Sequence, residues 1–226
     1  MAALRLPTTL LILLVALCLL APAAEAKGKR KKAGKKRAKK KRAADIHRAC
    51  ESDDPEMIQA ALDAGADINK KGKDGQTPLM FSVLQGYAES VRFLLDKGAD
   101  PTIGEYQGYT PMHGAAFQGR AEIAQMLIDH GLDPHDLHKD GFRPFHRALW
   151  GMEQRHTEAA EVFIKAGADL TSPGGPPNPE DGPPTQAKPL AMAQNPETQK
   201  LLKRYLKQSK ISEKLEDTKQ GGKEEL

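Results

Sequence analysis

Cysteine is nearly absent from this chain. Of 226 residues only Cys18 and Cys50 carry a thiol, so no disulfide framework can hold the fold together. Aromatic side chains are scarce as well: six Phe, four Tyr and one Trp. The apolar run Leu10–Ala21 falls short of the ~20 residues that a membrane span needs. There is no Gly-x-Ser-x-Gly elbow, no phosphate-cradling glycine loop and no Cys-x-x-Cys pair. Gly104-Glu105-Tyr106-Gln107-Gly108 does not open a strand–helix phosphate site. These absences argue against hydrolase, nucleotide and redox chemistry. The chain is expected to be no enzyme and to hold no cofactor.

What the chain does have is a beat. Thr77-Pro78-Leu79-Met80 returns as Thr110-Pro111-Met112-His113, then as Arg143-Pro144-Phe145-His146, each 33 residues on. Gly65-Ala66-Asp67, Gly98-Ala99-Asp100, Gly131-Leu132-Asp133 and Gly167-Ala168-Asp169 keep time with it. A fixed period of this size marks stacked supersecondary units, none of which can bury its apolar face alone. Gly75, Gly108 and Gly141 precede each proline phrase, where a loop uses positive φ at little cost. The proline then fits a first helical turn, which has no use for its missing N–H. Short inner helices are expected over Leu79–Gln85 and Met112–Gln118, closed by Gly86 and Gly119. Longer outer helices follow, with Val91, Leu94 and Leu95, then Ile123, Met126 and Leu127, at helical spacing. Val83 and Ala116 should be buried, and so should Cys50 one period earlier, as an inert core thiol.

On the Thr-Pro-Leu-x and Gly-Ala-Asp phrases at this spacing, the chain resembles the ankyrin-repeat family. The resemblance implies an all-α ankyrin-repeat solenoid of about four to five units. Units fall near 43–73, 74–106, 107–139 and 140–172. A proline-rich loop over 173–187 and a capping unit over 188–206 complete a repeat domain of 43–206. Met80 and Ala191 depart from the family's histidine, and Arg143 and Lys188 from its threonine. The fourth unit has three extra residues near Met152–Arg155. His47, His113 and His146 take the phrase's histidine position, which the resemblance assigns to hydrogen bonds with neighbouring loop backbone. His130, His135 and His138 are expected to be exposed loop histidines rather than a metal site, since spacing alone brings no ligands together.

Met1–Ala26 reads as a secretory signal peptide: one basic residue, an apolar run, and Ala24-Glu25-Ala26 as a small-x-small cleavage site. Residues 207–226 read as a charged tail, flexible over Ser209–Gly222. It ends in Lys223-Glu224-Glu225-Leu226, which is similar to the Lys-Asp-Glu-Leu retrieval signal. Together they predict the lumen of the endoplasmic reticulum. Secretion is an alternative, as is the nucleus if the signal peptide is not used. Lys27–Arg42 holds twelve Lys or Arg in sixteen positions, a disordered polybasic segment. That tract and Arg5 account for thirteen of the 34 basic residues, and Glu25 is the one acid before residue 43. Residues 43–226 therefore carry 21 basic against 29 acidic residues, a net charge of about −8. The tract's chemistry fits an acidic protein or an anionic membrane surface. Nucleic acid is disfavoured, because no aromatic interleaves with the lysines and a signal peptide precedes them.

The resemblance implies a monomeric adaptor or scaffold that holds a protein partner on a concave face and finger loops. The matching contact positions are Lys73, Asp74, Gln76, Leu84 and Gln85 in the second unit. In the third they are Tyr106, Gln107, Tyr109, Phe117 and Gln118, and in the fourth Lys139, Asp140, Phe142 and Trp150. Five of the eleven aromatics fall there, at positions expected to be exposed, which marks a candidate hot spot. The competing reading is a polyanion tether: nucleic acid or anionic membrane held by the basic segment, with the repeats as cargo or spacer.

Overall fold

Proline sets the first turn of every inner helix in the repeats that follow the beat. Pro78, Pro111, Pro144 and Pro189 each stand at a helix start, and the Thr77 hydroxyl caps one by accepting from the Met80 N–H at 3.1 Å. The structure, a computed structural model, describes residues 45–175 and 187–221. The expected signal peptide, the basic segment, most of the proline-rich loop and Lys223–Leu226 lie outside the described residues.

The described residues form ten α-helices and no strand. The first unit has α1 (Ile46–Ala49), a 3₁₀ turn over Cys50–Ser52, and α2 (Pro55–Asp63). The second has α3 (Pro78–Gln85) and α4 (Ala88–Asp96), the third α5 (Pro111–Phe117) and α6 (Ala121–Asp129). The fourth has α7 (Pro144–Ala148) and α8 (Gln154–Lys165). A short α9 (Pro189–Met192) leads into α10 (Pro196–Gly221). Inner helices α3, α5 and α7 stack in one layer, and outer helices α4, α6 and α8 in another, followed by α10. One continuous core runs between the layers, and Phe163, Ile58, Leu79, Leu94, Met112 and Leu202 are fully buried in it. Cys50 sits in this core as expected, and burial, the main cause, pushes its thiol up to about 11.

Adjacent units are stapled where helices end. The Arg120 guanidinium donates to the carbonyls of Leu84 and Gln85 at 3.4 and 2.8 Å, placing a cation at the C-terminus of α3. His156 Nε2 lies 3.2 Å from the Phe117 carbonyl at the end of α5. Between the first and second units the Asp53 carboxylate accepts from the Ser90 N–H at 2.8 Å. The fingers also interlock: the Tyr106 N–H donates to the Asp74 carbonyl at 3.3 Å, and the Gly175 N–H to that of Gly141 at 3.1 Å. His47 Nε2 lies 2.8 Å from the Lys70 carbonyl, the loop contact that the resemblance implied.

The three extra residues of the fourth unit have a clear location. Outer helices α4 and α6 have nine residues each and α8 has twelve, so the insertion lengthens the helix. The loop before it folds so tightly on His156 that a Cβ at Gly151 would lie 2.0 Å from that ring. Two sequence expectations need correction. The capping unit, expected to end at 206 and to be followed by a flexible stretch over Ser209–Gly222, instead carries a helix that continues to Gly221. His138 is not an exposed loop histidine: it is buried and stacked on Tyr109 with ring centroids 3.9 Å apart. His130 and His135 are exposed.

Candidate functional site

The fingers and the inner helices face one another across a groove, and at its centre lies a cavity of about 240 Å³. Gln76, Glu105, Gln107 and Tyr109 line it from the fingers. Met80, Leu84, His113, Gly114, Phe117 and Arg147 line it from α3, α5 and α7. One repeat position decides its shape. Phe81, Gly114 and Arg147 stand 33 residues apart on successive inner helices, so a bulky ring, no side chain and a long cation follow one another along the stack. With no side chain at 114 the inner helices pack closely, and the ends of Met80 and Leu84 come to 3.2–3.3 Å from where its Cβ would be and form part of the cavity wall.

Arg147 forms the far wall. Its guanidinium carbon lies 4.8 Å from the Tyr109 ring centroid, 4.9 Å from Phe142 and 4.3 Å from Trp150. Such faces attract a cation through the ring quadrupole, by about 2 kcal/mol when it is desolvated. The guanidinium also donates to the Tyr109 hydroxyl at 2.9 Å and to Asp140 Oδ2, and the Tyr109 hydroxyl donates to the same oxygen at 2.8 Å. Asp140 Oδ1 accepts from the Phe142 N–H at 3.2 Å and lies 2.8 Å from His138 Nδ1. Burial alone would raise the Asp140 carboxyl. The bonds from His138, Tyr109 and the Phe142 backbone, with the Arg147 charge, outweigh burial and hold it below the usual carboxylate range. Burial and the Asp140 bond push the Tyr109 hydroxyl up.

This cluster corrects the expectation of five exposed aromatics. Phe142 is buried beneath Gly174, where the proline-rich loop begins, and Tyr109 and Trp150 are half-buried against Arg147. Tyr106 and Phe117 remain, 74% and 51% exposed. Tyr106 lies across Gly75. Of the other expected contact positions, Lys73, Asp74, Gln85, Gln107 and Lys139 are exposed. Gln76, Leu84, Gln118 and Asp140 are half-buried. The Gln107 carbonyl is 2.9 Å from His138 Nε2, so its backbone is occupied while its side chain is free to face the groove. The cavity thus brings together Gln76, Leu84, Gln107, Tyr109 and Phe117, while Lys73, Asp74 and Lys139 do not line it. Sequence reasoning missed Met80, Glu105, His113, Gly114 and Arg147. The signal was available in the residue after each phrase, where Gly114 and Arg147 break the pattern set by Phe81. Among the described residues no three His, Cys, Asp or Glu side chains gather into a group that could hold a metal.

Stacked helix pairs joined by interlocked fingers, with a groove between fingers and inner helices, define a helical repeat solenoid. A family model described as ankyrin repeats (three copies) matches residues 46–136 and 106–173. The chain belongs to the ankyrin-repeat family. Its repeats generally mediate protein binding, and the family is typically non-enzymatic. Comparison with curated proteins finds no match.

Proposed function

We propose that this chain is a non-enzymatic docking module of the endoplasmic reticulum lumen. A protein partner lies in the groove between the fingers and the inner helices of the second to fourth units. The observation that carries this reading is Phe117: a large aromatic, half in solvent, at the edge of a preformed cavity with a largely apolar wall. Exposed apolar surface beside a cavity is what an interface anchor needs, since an aromatic buries much area at low entropic cost. Phe117→Ala in the full chain is expected to leave the melting temperature nearly unchanged, within about 0.5 kcal/mol of stability. Proximity labelling in intact cells should meanwhile lose the neighbours that the unaltered chain labels. A large fall in stability, or neighbours that persist, would count against the groove.

The lumenal address is supported by the Leu10–Ala21 run, the Ala24-Glu25-Ala26 site and Lys223–Leu226. Removing Lys223–Leu226 should send a tagged chain into the medium; continued retention, or nuclear staining of the intact chain, would overturn the address. The twelve basic residues of Lys27–Arg42 support the second reading, a polyanion tether. Deleting residues 27–42 separates the two, because labelling survives under the docking reading and disappears under the tether.

A further inference from the structure

The floor of the cavity beside Phe117 is formed where residue 114 is glycine and the ends of Met80 and Leu84 lie against it. The backbone at 114 is helical and has no positive φ, so the glycine answers to the close approach of Met80 and Leu84 rather than to the main-chain conformation. Glycine is a poor residue for a helix interior, and a larger side chain would have to push Met80 and Leu84 toward the cavity. The fold therefore gives up some helix stability at a position where the inner helices pack closely beneath the groove.

The charges around the gap decide what it takes. Arg147 is committed to Asp140 and three ring faces, so it brings no net charge to the wall. His113 is buried and held neutral. Glu105 differs. Its Oε1 accepts the Gln107 and Tyr109 N–H groups at 3.0 and 3.4 Å, which aims the carboxylate, but no described cation pairs with it. Lys71 of the preceding finger donates to the Gly104 carbonyl instead, at 2.8 Å. Whatever enters must take water from a half-buried carboxylate, and an occupant without a cation would leave that charge unpaired. An acidic occupant would meet repulsion both from Glu105 and from a repeat domain with a negative balance.

We infer that the Gly114 cavity is a specificity pocket for one basic side chain of the partner, a lysine or arginine. Its aliphatic stem would lie on Met80, Leu84 and Phe117, and its cation would meet Glu105. Long cationic side chains bury apolar stems while keeping the head at a polar site, which matches this order of apolar floor and acidic rim. The inference rests on the docking reading above and adds the chemistry of the anchor.

The test is a random dodecamer peptide library, first depleted on the full-length Gly114→Leu chain and then selected on the full-length unaltered chain. Depletion removes peptides that adhere to the basic segment or elsewhere. Selected peptides should share one Lys or Arg. Replacing it with norleucine, which keeps the stem and removes the charge, should weaken binding by about tenfold or more. Glu105→Gln should weaken them similarly while leaving the melting temperature unchanged, which covers the case in which leucine at 114 perturbs the fold. An apolar or acidic shared anchor that still needs Gly114 would overturn the basic pocket and leave groove docking intact. Selected peptides that bind the Phe117→Ala and Glu105→Gln chains as tightly as the unaltered chain, or no enrichment at all, would count against both.

Discussion

Asp140→Ala is expected to cost about 3–5 kcal/mol of stability, a large share of the 5–15 kcal/mol typical of a folded domain. The carboxylate does four things at once. It takes the Arg147 guanidinium and the Tyr109 hydroxyl on one oxygen, and the Phe142 N–H and the His138 ring on the other. Alanine removes none of the groups that need it. Arg147 would be left with a side chain only 10% exposed and no counter-charge, and its Nε already lacks a partner. Removing one member of a buried pair costs more than removing both, so Asp140→Ala with Arg147→Met should recover much of the loss. The coupling between the two sites should be about 1–3 kcal/mol. Urea unfolding of the full-length single and double variants checks this. Strictly additive losses would mean that the pair is already well solvated and that the three rings alone hold Arg147.

That network also explains which parts of the molecule were legible beforehand. The 33-residue beat located the inner helices to within one residue, because proline and glycine set helix ends by local geometry alone. Buried positions such as Val83, Ala116 and Cys50 followed from the same register. Exposure of the aromatics did not follow. Tyr109 and Arg147 are 38 residues apart, and only the stacked fold reveals that one buried cation has gathered three rings and a carboxylate. Repeat register says which face a residue occupies but not what the next unit places over it. His138 went astray in the same way, since a finger histidine is exposed until the neighbouring finger stacks on it. The end of α10 is illegible for a different reason: its composition is polar, and a charged sequence without apolar periodicity is hard to assign to a helix.

The groove should also weaken in mild acid, and His113 sets the window. The ring is 2% exposed, with Nδ1 2.9 Å from the Thr110 hydroxyl. Burial pushes its pKa down to about 4; Asp136 pulls the other way, while His138 and Arg147 add to the fall. In the unfolded chain the ordinary value is 6.5. Between these values the unfolded state binds a proton that the folded state refuses, so stability rises with pH through that range. The contribution is complete above about pH 6.5, falls as the pH drops, and by about pH 4 has cost roughly 3 kcal/mol. His146, whose pKa burial also lowers, acts in the same direction. Asp140, held below the usual carboxylate range, loses its contribution only at lower pH, as protons compete with Arg147 for its oxygens. His113→Gln removes the titration and keeps a polar side chain near Thr110. Urea unfolding at about pH 7, 5.5 and 4 should therefore show a shallower decline in this variant than in the unaltered chain, by roughly 3 kcal/mol over the range. An equal decline in both would place the acid sensitivity elsewhere and show that His113 takes up its proton without leaving the fold.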